Sequence, residues 1–163
     1  MLNVTFRFLS FRSRSEKEIR TYLQKKVHES SDAPVIGRVI ERLRELGYVD
    51  DKKFIRWWIE QRQGYKPKGM RLIVQELRAK GIAQDLIDEV TEEMRQLDTD
   101  REPHNAHSEI DPALRAIAKK SDQWKLLPKI EQKKKIYGFL GRRGFSSDVI
   151  HRVIDEVVYH RIQ

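Results

Sequence analysis

The sequence predicts an all-α protein of tandem three-helix, helix-turn-helix-like repeats, stacked into an elongated, curved array whose third repeat is truncated. Three observations predict it. Apolar residues recur three and four positions apart through most of the chain, the spacing of amphipathic helices. Ser, Asp and Gly punctuate the segments marked in this way, capping their starts and ends. Finally, a two-helix unit recurs. Moving forward sixty-three positions turns Ile73, Leu77, Gly81, Asp85, Ile87 and Val90 into Ile136, Leu140, Gly144, Asp148, Ile150 and Val153. Moving backward, Leu77 matches Leu23, Ile87 matches Ile36 and Val90 matches Val39, with a few extra residues in the first link. Repetition at a fixed unit size implies stacked modules rather than one folded-back core.

The elements follow in order. Near the start, Val4, Phe6 and Phe8 alternate with Thr5 and Arg7, locally a strand pattern, although a helical or irregular stretch is the preferred reading. Ser13 to Glu16 (S-R-S-E) fits a capping box, and the helix behind it runs to about Val27 with Ile19, Tyr22, Leu23 and Val27 inward. Glu29 to Asp32 is a link, and Asp32 can cap a second helix with Pro34 in its first turn. Ile36, Val39, Ile40, Leu43 and Leu46 carry the core face of that helix, and Gly47 stops it. Asp50 or Asp51 caps a third helix holding Phe54, Trp57 and Trp58. Adjacent tryptophans point about 100° apart on a helix, so one belongs to the core and the other is partly exposed.

Lys66, Pro67, Lys68 and Gly69 then form a basic lead-in that cannot sit mid-helix. The helix from Met70 turns Ile73 and Leu77 inward and Arg71, Gln75 and Arg78 outward, and Gly81 ends it. A second helix follows, with Leu86, Ile87, Val90 and Met94 inward. Residues 98–110 are acidic, polar and interrupted by Pro103, as a flexible loop would be. Asp111 caps a helix that Pro112 opens and that ends near Asp122, with Leu114, Ile117 and Ala118 inward. Trp124 to Pro128 is a break anchored by Leu126 and Leu127. Two last helices run from Ile130 to Arg143 and from Ser147 to about His160. The expected organisation is an extension over 1–12 and repeats over 13–64, 65–126 and 127–163.

The chain has 163 residues, 36% of them charged and 39% hydrophobic, a polar composition whose helical periodicity argues against disorder. It has no cysteine, hence no disulfide framework or thiolate metal site, which suits a reducing cytoplasm. No apolar run approaches the ~20 residues that span a bilayer. MLNVTFRFLSF lacks the pattern of a signal peptide, so a cytoplasmic protein without membrane contact is expected. The net charge is +8, and it is segregated. Acids dominate from Ala83 to Pro112, and lysine and arginine dominate from there to Ser147. Such a field favours a polyanionic partner.

Catalytic constellations are poor. Asp50/Asp51 and Glu92/Glu93 read as capping and solvated pairs rather than acid–base machinery. His104 and His107 make an H-x-x-H in a polar loop without a third ligand nearby, and His151 and His160 read as helix-surface residues. No G-x-S-x-G motif and no phosphate-cradling glycine loop is present. No enzyme, metal or cofactor is expected. What remains is the basic residues Lys66, Lys68, Arg71, Arg78, Lys80, Lys133, Lys134, Lys135, Arg142 and Arg143, with Tyr65 placed to stack on a base. Arg71 corresponds to Lys134 and Lys80 to Arg143 under the sixty-three-residue shift. The plain alternative is that these cations only solvate outer faces. Gly138 and Gly141 weaken a long helix, which close contact with a neighbour or partner would explain.

Several motifs also share an order with a known family. KPKG, QEL (Gln75 to Leu77) and LRAKGI (Leu77 to Ile82) resemble the RecX recombination regulators, as do RSEKEI (Arg14 to Ile19), ERLRELGYVDDKKF (Glu41 to Phe54) and FLGRRGF (Phe139 to Phe145). The resemblance runs from about Phe11 to the end of the chain. It implies three tandem three-helix repeats and a protein that binds the RecA recombinase filament on single-stranded DNA and suppresses its growth and activity. The expected partners are that filament and single- or double-stranded DNA, bound by a monomer. Phosphates and RecA carboxylates remain open as targets of the basic residues. The alternatives are a non-specific nucleic-acid-binding repeat protein and a helix-turn-helix transcription factor. Against the latter, the helix that would enter a groove carries Asp85, Asp88, Glu89, Glu92 and Glu93.

Overall fold

The computed structural model describes residues 2–26, 33–99 and 109–159. Over these the chain forms α1 (Leu2–Leu9), α2 (Glu16–Lys26), α3 (Ala33–Glu45), α4 (Asp51–Gln63), α5 (Met70–Ala79), α6 (Gln84–Thr99), α7 (Ile110–Trp124), α8 (Lys129–Arg142) and α9 (Ser147–Tyr159). No strand occurs among the described residues, and the all-α expectation holds. At the start, helical packing overrides the local alternation. Leu2, Phe6 and Leu9 share one helical face and pack on a core, which the strand pattern would have split between two faces.

Two compact units are formed, Met1–Trp57 with Leu77–Val90, and Trp58–Glu76 with Thr91–Gln163, so α4, α5 and α6 contribute to both. In the first unit α2 packs on α3 around Ile19, Leu23, Ile36, Ile40, Leu43 and Val49. In the second, α7, α8 and α9 pack on one another around Ile117, Ile136, Leu140, Phe145, Ile150 and Val153. The positions related by the sixty-three-residue shift behave alike. Ile73, Leu77, Ile87 and Val90 are buried, and so are Ile136, Leu140, Ile150 and Val153.

Helix ends obey the same local chemistry. Gly47, Gly81 and Gly144 have φ of 74°, 85° and 83°. At each, the following N–H donates back to a leucine carbonyl: Tyr48 to Leu43 (2.9 Å), Ile82 to Leu77 (3.2 Å) and Phe145 to Leu140 (3.2 Å). This Schellman closure needs the left-handed residue that glycine adopts without strain. Asp50 caps α4 by accepting the Lys53 N–H at 3.0 Å. Asp51 accepts the Glu16 N–H at 3.0 Å, at the start of α2. Burial pushes its carboxyl above the ordinary range, and that N–H bond only partly offsets the effect.

Some sequence assignments shift. The capping box is Ser15–Glu18 rather than Ser13–Glu16. Glu18 N–H donates to Ser15 Oγ and Ser15 N–H to Glu18 Oε2, both at 3.2 Å. Ser15 is the buried serine, which decides the frame. α7 begins at Ile110, one residue before the expected Asp111 cap, and α6 continues to Thr99 into the expected loop. Leu46, Ala118 and Leu126 face solvent rather than the core, each lying at a helix end or between helices, or turned off the buried face. Trp58 is buried and Trp57 half-buried, as the adjacent pair required. Val27, the 29–32 link, residues 100–108 with His104 and His107, and His160 lie outside the described residues. No described helix is long and apolar enough to cross a membrane.

Leu140 is fully buried in the second unit's core. Leu140→Ala should therefore cost about 3 kcal/mol in urea unfolding. A loss below about 1 kcal/mol would remove it from the core.

Candidate partner interface

The basic lead-in begins where α4 ends. Lys66 has φ of 53°, the single positive-φ residue other than glycine among the described residues. Holding lysine there costs roughly 1–2 kcal/mol. Bonds on either side maintain it: Gly64 N–H donates to Glu60 O and Lys68 N–H to Arg62 O, both at 3.0 Å. Tyr65, 83% exposed, and Lys66, also exposed, stand out from this turn, with Lys66 Nζ 5.3 Å from the Tyr65 ring centroid.

Lys68 turns inward instead. Glu76, on α5, gathers three donors. Its Oε2 accepts Trp58 Nε1 at 2.9 Å and Arg62 Nε at 2.6 Å, and its Oε1 pairs with Lys68 Nζ. The Arg62 guanidinium also lies 4.1 Å from the centroid of the Trp58 ring. Burial pushes the Glu76 carboxyl up, but the bonds from Lys68 and Arg62 outweigh it and hold it below the ordinary range.

Further along, the lead-in is joined to the α8–α9 turn within the second unit. Gly69 N–H donates to Arg143 O at 2.8 Å, and Arg143 Nη1 to Pro67 O at 3.0 Å. A Cβ on Gly69 would stand 2.3 Å from Gly144 backbone atoms, and one on Gly144 2.7 Å from Leu72 N. The Arg143 guanidinium lies 4.7 Å from the Phe139 ring centroid, so this arginine is committed to the fold. At the start of α5, Met70 N–H donates to Glu109 Oε1 at 2.5 Å. A carboxylate there meets the positive end of the helix. Burial nonetheless raises the Glu109 carboxyl above its ordinary range, the Met70 bond offsetting only part.

In the first unit Lys80 is similarly committed. Its Nζ donates to Glu18 Oε1 at 2.8 Å, and its carbonyl accepts Ser15 Oγ at 2.8 Å. Arg12 grips the same carboxylate with two nitrogens, at 2.7 and 3.2 Å. Burial pushes Glu18 up, but hydrogen bonds from Arg12, Lys80 and the Ser15 N–H bring it down to about 2.

The predicted cations therefore separate. Lys68, Lys80 and Arg143 are built into the fold. Lys133 is half-exposed with Nζ 4.7 Å from the Tyr159 ring centroid. Lys66, Arg71, Arg78, Lys134, Lys135 and Arg142 are exposed. Among the described residues none of these six has a carboxylate ion pair. The corresponding pairs share a fate: Arg71 and Lys134 face solvent, while Lys80 and Arg143 hold the chain together. Sequence reasoning missed the carboxylates that divide them. Ser15–Glu18 has legible S-x-x-E spacing, whereas Glu76 and Glu109 meet partners that no local pattern marks. No cluster of three or more potential metal ligands occurs among the described residues.

Models of the RecX family match in three places: the first three-helix domain over residues 2–43, the second over 50–90 and the third over 109–154. A Regulatory protein RecX from Chlorobium phaeobacteroides (strain BS1) is 32% identical over 157 residues, covering 95% of this chain and 91% of that protein. The chain belongs to the RecX family of regulatory proteins. A second RecX relative, from Bacillus subtilis (strain 168), is 34% identical over 152 residues and 93% of this chain. The chain spans about half of that relative's length, 53%. The crystal structure of RecX from Lactobacillus salivarius has the same fold, with a TM-score of 0.76 at 20% identity over 96% of this chain and 93% of that one. Each matched range spans or enters three helices, α1 to α3, α4 to α6 and α7 to α9 in turn.

Because the Glu18 carboxyl is lower in the folded chain than its ordinary 4.5, its contribution to stability is complete above about pH 4.5 and vanishes as pH falls towards 2. Glu18→Gln should lower stability at pH 7 and flatten the acid limb of stability against pH. An acid limb identical to that of the unsubstituted chain would show that Glu18 does not drive it.

Proposed function

We propose that this chain binds the RecA recombinase filament on single-stranded DNA and inhibits its growth, ATPase and strand exchange, thereby modulating DNA repair and recombination. The observation that carries the proposal is the set of exposed cations without carboxylate ion pairs among the described residues, with Arg71 and Lys134 at corresponding positions in two repeats of a regulatory family. Cations kept out of internal ion pairs retain their field for a polyanion, whether DNA phosphates or RecA carboxylates. Tyr65 and Lys66, presented together on a fixed turn, supply an aromatic face beside a charge. Repetition of the unit lets weak contacts add. The same reading has the chain working as a cytoplasmic monomer, without a catalytic group of its own.

The test is single-strand-dependent ATP hydrolysis by a bacterial RecA, with this chain added well below one per RecA. Strong inhibition is expected, because sequestering DNA or free RecA would need comparable amounts. Changing Arg71, Arg78 and Lys134 together to alanine should raise the concentration needed for inhibition at least tenfold while leaving helicity and melting unchanged. Exposed positions of this kind usually alter stability by less than about 0.5 kcal/mol. Absence of inhibition despite binding to the same DNA would replace the proposal with a general nucleic-acid-binding function. That function would show log affinity falling by about 0.9 per phosphate contact for each log unit of salt.

A further inference from the structure

Between α8 and α9, within the second unit, lies an open groove of about 630 Å³. Gly138 and the buried Ile154 contribute to its lining. A helix interior disfavours glycine, so Gly138 needs a reason, and packing inside the described chain supplies none for it or for Gly141 in the last turn of α8. A Cβ on Gly138 would meet only Arg142 Nη1, at 3.4 Å, and one on Gly141 would meet nothing within 4 Å. Gly69 and Gly144 differ in having no room for a side chain at all. The α8 glycines instead leave a shallow path along which a backbone from outside can come close.

The chemistry around that path is amphipathic. Ile130 is 69% exposed, and Tyr137 lies about two turns further along the same helical face. Lys133 and Lys134 flank the apolar surface and form no carboxylate ion pair among the described residues. Asp155 is the one acidic side chain in the lining. The aromatic rings already have neighbours. Lys133 and Lys129 ammonium groups lie 4.7 and 5.4 Å from the Tyr159 centroid. The Tyr137 ring is 5.9 Å from His151, and its hydroxyl is 3.1 Å from Ser147 Oγ. A nucleobase would have to displace these neighbours, and a phosphate has no apolar face to lay over Ile154. An amphipathic helix meets both conditions, setting its apolar residues over Ile154 and Gly138 and its carboxylates against the lysines of α8, on the wall opposite Asp155 of α9.

We propose that the α8–α9 groove receives an acidic amphipathic helix of a partner protein, seated over Gly138 and Gly141 and gripped by Lys133 and Lys134. The assignment selects carboxylate over phosphate at this face. It stands on the groove itself, so failure of the RecA ATPase test would leave it intact.

The probe is a fluorescein-labelled helical peptide with Leu at three- and four-residue spacing and Glu elsewhere, compared with its Lys–Leu counterpart and a dT oligonucleotide. Anisotropy measures affinity, and NMR amide shifts locate binding on the full chain. The Glu–Leu peptide should shift the Gly138, Gly141 and Ile154 amides, and the Lys–Leu peptide should not bind. Affinity should fall at least tenfold with Gly138→Leu, which fills the path while favouring the helix. It should fall as far with Lys133→Ala plus Lys134→Ala, which decides the matter if Gly138→Leu perturbs the fold. No binding of the Glu–Leu peptide, equal binding by the variants, or movement of the same glycines by the oligonucleotide instead would overturn the proposal.

Discussion

In the second unit, the backbone at Gly69 approaches that at Gly144 so closely that neither residue could carry a side chain. Much of the candidate interface depends on this contact. It fixes the end of the basic lead-in, and Gly69 N–H and Pro67 O are satisfied there by Arg143. It also sets the start of α5, where Glu109 receives the Met70 N–H. Gly144 serves twice, supplying a left-handed φ for the Schellman closure of α8 and the space into which Leu72 fits. A single methyl group at either glycine would force a shift of backbone, since the atoms in the way are not flexible side-chain ends.

A second constraint is electrostatic. A chain of net charge +8 has many cations to place, and its partly buried carboxylates decide which remain inside. Glu76 collects Arg62, Lys68 and the Trp58 indole, while Glu18 collects Arg12 and Lys80. In both cases several charge-assisted bonds converge on one partly buried carboxylate, which overcomes the cost of burying it. Such clusters hold more than isolated surface pairs, which contribute about 0–1 kcal/mol. The cations left over on α5 and α8 face solvent.

Two kinds of glycine stand in α8 and its exit, and they carry different meanings. Gly144 is required by the chain itself, through its φ and its neighbours. Gly138 and Gly141 are not, and Gly138 lines a groove whose lysines lack carboxylate partners among the described residues. The same residue type thus marks an internal constraint at one position and an external surface at the others.

Much of this protein was legible before any coordinates. The helices from α2 onward, the closures at Gly47, Gly81 and Gly144, and the burial of Ile73, Leu77, Ile136 and Leu140 depend on neighbours within a few residues. Periodicity and capping report such local terms directly. The strand-like alternation at Val4, Phe6 and Phe8 competed with the helical reading because a short segment satisfies two periods, and only a core under Leu2, Phe6 and Leu9 chooses between them. The division of the basic residues was likewise tertiary. Lys80 and Arg78 are near neighbours in sequence, as are Arg143 and Arg142, yet one of each pair is bound while the other has no ion pair among the described residues. Glu18 lies 62 residues from Lys80, and Pro67 lies 76 from Arg143, separations that local patterns cannot encode. Sequence thus determined where charge and apolar surface exist, and the folded chain alone decided which charges are spent on its own carbonyls and carboxylates, because those partners come together only after packing.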